Sequence, residues 1–107
     1  MKLNEYQEAA GKTAIFPPEP SLEEIPIYPV LGLAGETGEL VEKFKKGIRD
    51  GSFDRAGALK ELGDVLWYVA AVATAMGVDL QSVAELNLIK LHSRQQRKAL
   101  EGSGDDR

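Results

Sequence analysis

A chain of 107 residues with 43% hydrophobic and 28% charged residues has the composition of one soluble globular domain, with room for a single modest core. A net charge of −4 excludes general affinity for a nucleic-acid backbone, which needs a basic surface, so a polyphosphate ligand would have to find local cations. The absence of cysteine excludes disulfides, thiolate metal sites and a cysteine nucleophile.

The opening residues, Met1 to Glu8, lack the apolar core of a signal peptide, which predicts an unexported, cytoplasmic protein. A first helix is predicted from a cap at Asn4, with Gln7 three positions on, through Thr13. Between Ile15 and Pro29 five prolines remove backbone donors and fix φ. This predicts a loop over 15–29 with one helical turn at Ser21 to Glu24, long enough to cover a site. A second helix is expected from about Pro29 to Arg49, ending at Asp50-Gly51, with Leu33, Thr37, Leu40, Phe44 and Ile48 on its largely apolar stripe. Gly32, Gly35 and Gly38 each cost that helix up to about 1 kcal/mol relative to alanine, so close approach of a neighbour or ligand is expected in compensation.

The third helix should run from about Asp54 to Met76. From Leu62 to Met76 its only strongly polar side chain is Asp64, so it is apolar nearly all round and has to be surrounded by its own chain or by a partner subunit. The apolar run Val65 to Val78 is shorter than the roughly 18 residues of a membrane span, which predicts a buried helix and no membrane partner. A fourth helix, capped by Asp79, should extend to about Leu100, and residues 101–107 are expected as a flexible tail. The whole chain then reads as one all-α, four-helix domain.

The carboxylates carry the chemistry. Glu36 and Glu39 on the second helix, and Glu61 and Asp64 on the third, are each three apart, so each helix projects two acids from one side. Antiparallel packing of these helices would bring all four to one level. Converging anions are costly without a counter-charge, and oxygen-only ligands favour a hard cation, Mg2+ with Mn2+ as a substitute. Taken alone, such pairs are as often a solvated helix face; Asp64, embedded in the most apolar helix, favours the metal site. On the fourth helix, Val83, Asn87, Lys90 and Arg94 share one stripe beside the apolar Leu80, Ala84, Leu88 and Leu91. An amide and two cations there suit a phosphate chain. His92, the only histidine, reads as a surface residue.

Three ordered blocks resemble the MazG-like family of all-α nucleoside triphosphate pyrophosphohydrolases: Gly32 to Leu40, Lys60 to Tyr68, and Asn87 to Arg94. The resemblance covers roughly Ile27 to Lys98, and one departure is Gly35, where many members carry a second glutamate beside Glu36. It implies a helical bundle completed as a homodimer or homotetramer, with magnesium held by Glu36, Glu39, Glu61 and Asp64. It also implies nucleotide or phosphate contacts from Asn87, Lys90 and Arg94, and attack at the α-phosphorus to release pyrophosphate, with Glu39 the candidate proton acceptor. Trp67 and Tyr68 are expected in the core or an interface, where either could stack on a base. The rivals are a phosphoribosyl-ATP pyrophosphohydrolase and a catalytically silent helical module that binds nucleotides or a protein.

Overall fold

The computed structural model describes residues 1–98, 101, 102, 104 and 105. Four helices, α1 (Leu3–Gly11), α2 (Tyr28–Asp50), α3 (Arg55–Ala75) and α4 (Leu80–Gln96), carry the fold. Between α1 and α2 lies a two-stranded antiparallel hairpin, β1 (Ser21–Leu22) and β2 (Ile25–Pro26), paired Ser21 to Pro26 and Leu22 to Ile25. The helical turn expected at Ser21 to Glu24 is therefore a tight β-turn instead. Glu23 and Glu24, at φ of 50° and 66°, take the left-handed pair of conformations that a two-residue hairpin loop demands.

The core pair is α2 and α3, an antiparallel helical hairpin. Proline in the first turn starts α2, and Gly51, at a φ of 72°, ends it in a left-handed cap. Asp54 then caps α3 by accepting from the Gly57 amide at 2.9 Å. Tyr68 of α3 packs against Gly32 of α2, where a Cβ would overlap its ring. Gly35 and Gly38 face open space within the chain, so the close approach expected at three glycines occurs at one of them.

α1 lies along α3 and fixes the corner into α4. Asn4 does not cap its own helix, which begins after Lys2; its Oδ1 accepts instead from the Gln81 amide of α4 at 2.9 Å. Gln7 accepts from the Leu80 amide and donates to Thr74 Oγ1 and to the Val78 carbonyl. Asp79 accepts from the Ser82 amide at 2.7 Å, so three backbone donors at the start of α4 are satisfied by side chains. The corner turns α4 by 100° from α3. The helix ends at Gln96, short of the expected Leu100, because Arg97 and Lys98 form a turn with Lys98 at a φ of 56°; residues 99 and 100 lie outside the described residues.

This arrangement leaves a thin core. The buried apolar residues among those described are Ala10, Pro29, Ala58, Ala70, Ala73 and Leu80, whereas Leu59, Leu62 and Leu66 of α3 and Leu86, Leu88 and Ile89 of α4 are exposed. The expectation that α3 is surrounded is not met within one chain, and the apolar stripe predicted on α4 is buried only at its first turn. A compact chain of 11.6 kDa exposes about 5,800 Å². This one exposes 8034 Å², and its radius of gyration of 16.5 Å exceeds the roughly 13 Å of a compact domain of its length. No single helix among the described residues is long and apolar enough to cross a membrane.

Candidate metal centre

The hairpin of α2 and α3 sets Glu36 level with Asp64, one turn beyond the contact between Gly32 and Tyr68. One carboxylate oxygen from each of Glu36, Glu61 and Asp64 lies within 4.8 Å of the other two. Glu36 and Glu61 are half-buried and Asp64 is exposed, although the surrounding α3 sequence suggested burial for it. Glu39 stands on the exposed side of α2, outside this trio, yet near enough for its charge to act on Glu36. Three of the four predicted acids are thus brought together, with the fourth at the edge.

The electrostatics are those of crowded anions. Desolvation first, then the charge of Asp64, a hydrogen bond to Glu61 and the charges of Glu61 and Glu39, hold the Glu36 carboxyl above its ordinary value. Tyr6 of α1 is a neighbour that periodicity did not suggest. Partial burial and then the charge of Asp64 push its phenol up, so Tyr6 lies within reach of that carboxylate's charge. An all-oxygen donor set with mutual repulsion fits a hard divalent cation, which would both satisfy the oxygens and relieve the repulsion.

The α4 constellation is arranged differently. Asn87 is exposed and, with Lys90, lines a groove of about 560 Å³ whose far wall includes Leu33 and Val72. Arg94 is only 3% exposed. Lys90 Nζ and Arg94 Nη2 share Asp105 Oδ1 at 3.0 and 3.2 Å, and no ion pair joins either cation to Glu36, Glu39, Glu61 or Asp64 among the described residues. The tail expected to be flexible is therefore tied down at Asp105.

On the opposite side of α3, the proline-rich loop folds back through Phe16, whose ring lies 5.5 Å from Trp67 and 5.6 Å from Tyr28. Trp67 donates its indole N–H to Thr13 Oγ1 at 2.9 Å. Loop, α1 and α3 enclose an apolar cavity of about 280 Å³ bordered by Phe16, Pro17, Trp67 and Ala71.

Residues 29–98 match the MazG nucleotide pyrophosphohydrolase domain family. Over its whole length the chain is 42% identical to the whole of the Gene 37 protein of Mycobacterium phage L5, aligned over 114 residues. No solved structure matches.

Proposed function

Because the chain belongs to the MazG nucleotide pyrophosphohydrolase domain family, we propose that it is a magnesium-dependent enzyme of the cytoplasmic nucleotide pool, hydrolysing a nucleoside triphosphate to the monophosphate and pyrophosphate. The observation that carries this reading is the convergence of Glu36, Glu61 and Asp64 to within 4.8 Å across two helices. These three would hold the metal, Mg2+ or in its place Mn2+. When bound, the ion neutralises charge on the phosphate oxygens and on the departing pyrophosphate.

The remaining work falls to the chain's own side chains. Glu39, outside the trio with its charge acting on Glu36, would accept the proton of a water attacking the α-phosphorus. As the new P–O bond forms, the bond to the β-phosphate oxygen breaks and pyrophosphate leaves with that electron pair. Asn87 offers an amide to the phosphate chain, Lys90 a point charge, and Arg94 a fork that can chelate two oxygens. Trp67 is one turn from Asp64 and borders the apolar cavity, which gives a base a surface to stack on near the acids.

The active form is a homodimer or homotetramer. The chain exposes about 2,200 Å² more than a compact chain of its mass, well above the roughly 800 Å² per partner that a standard interface buries. The leucines left exposed on α3 and α4 are the residues a second copy would cover.

The deciding experiment is pyrophosphate release from a panel of canonical and modified NTPs and dNTPs, with phosphoribosyl-ATP included, with and without magnesium. Metal-dependent release of pyrophosphate from NTPs or dNTPs is expected. Turnover of phosphoribosyl-ATP alone would reassign the substrate, and binding without turnover would reassign the chain to a silent module.

A further inference from the structure

Arg94 is buried yet incompletely bonded. Its Nη2 donates to the Asp105 carbonyl at 2.9 Å, to Asp105 Oδ1 at 3.2 Å and to the Gly104 carbonyl at 3.3 Å. Its Nε–H is buried and has no hydrogen-bond partner among the described residues. A buried guanidinium donor left unmatched is costly, and a ligand offering two adjacent oxygens would satisfy Nε and Nη2 together. Asp105 supplies one carboxylate oxygen, shared between Arg94 and Lys90, and a main-chain oxygen. In charge and spacing it does part of what a phosphate group would do.

The contact is also built to be displaced. The Asp105 side chain is 82% exposed, so it reaches the cations from the solvent side. Lys90 and then Arg94 keep its carboxyl below the usual carboxylate range, so it is ionised at neutral pH. Its pair with Lys90, a side chain 40% exposed, is weak, and salt weakens it further.

We propose that Asp105 is an intrachain anion that occupies Lys90 and Arg94 in the free enzyme and competes with the triphosphate of the substrate for them. The proposal rests on the reading that these two cations bind the phosphate chain. It makes the segment carrying Asp105 an autoinhibitory contact that raises the substrate concentration the enzyme needs.

The test is calorimetric titration of inorganic tripolyphosphate, without divalent metal and at low ionic strength, into the full chain and its Asp105→Ala and Lys90→Gln variants. Asp105→Ala should bind about two- to five-fold more tightly, the range set by the exposed pair with Lys90, and the gain should shrink as salt is added. Lys90→Gln should bind more weakly. Unchanged or weaker binding by Asp105→Ala, with Lys90→Gln still impaired, overturns the autoinhibitory contact and leaves the phosphate reading standing. Binding indifferent to Lys90→Gln removes the phosphate reading and the proposal with it.

Discussion

The α2–α3 hairpin and α4 solve opposite problems. In the hairpin, a left-handed glycine cap, an aspartate cap and a tyrosine seated on a glycine hold two helices so that three carboxylates meet without help from any other part of the chain. α4 is anchored at its start by side chains from α1 and Asp79, and then projects at 100° from α3 with Leu86, Leu88 and Ile89 exposed. The hairpin brings its acids together along two paired helices, whereas α4 carries Asn87, Lys90 and Arg94 on a helix whose leucines are left uncovered. Rigid elements position chemistry, and incomplete ones recruit.

The sharpest way to break this contrast is at the acids. Asp64→Asn removes a ligand charge with little change of volume. It should lower pyrophosphate release at least about 100-fold, beyond the loss usual for groups that merely support a metal ligand. Circular dichroism and light scattering should show an unchanged, folded oligomer, and normal turnover would sink the site assignment. The next largest effect is expected on α4. Leu88→Asp places a charge on an exposed apolar face and should convert the oligomer to monomer at micromolar concentration by light scattering, while leaving helix content intact. An undisturbed oligomer would show that this face is solvated in the assembly.

Smaller effects separate the glycines. Gly32→Ala drives a methyl into Tyr68 and should cost about 1–3 kcal/mol in denaturant unfolding. Gly38→Ala meets nothing within 4 Å and should instead gain up to about 1 kcal/mol of helix stability. Destabilisation by Gly38→Ala would mean that another copy crosses α2 there. The subtlest effect is pH-dependent. Since the folded protein raises the Glu36 pKa, this group's contribution to stability is present below its unfolded value and lost as pH rises through its folded one. Magnesium should therefore raise the melting temperature more at pH 7 than at pH 5, and equal shifts would show that Glu36 is not part of the ion's environment.

Much of this was legible in the order of residues. Asp54, Asp79 and the glycine after Asp50 mark helix ends by local chemistry, so the bounds expected for α2 and α3 agree with those found to within two residues. The three-residue spacing of the acids could be read for the same reason. What could not be read was non-local. Asn4 has the signature of a cap, but it caps a helix that begins 76 positions later, because α1 packs across the α3–α4 corner. The sequence around Asp64 is apolar, yet the residue is exposed, since periodicity gives a helix its faces without saying which face a single chain leaves open. Tyr6 within reach of the Asp64 charge, and Asp105 on Lys90 and Arg94, are likewise products of tertiary packing, with no signal in spacing.

The seat of Tyr68 on Gly32 also acts as a spacer. It sets how far apart two helix axes stand one turn before Glu36 and Asp64, and thereby the bite of the carboxylates across the gap. A residue outside the acid trio would in this way tune the spacing of its oxygens.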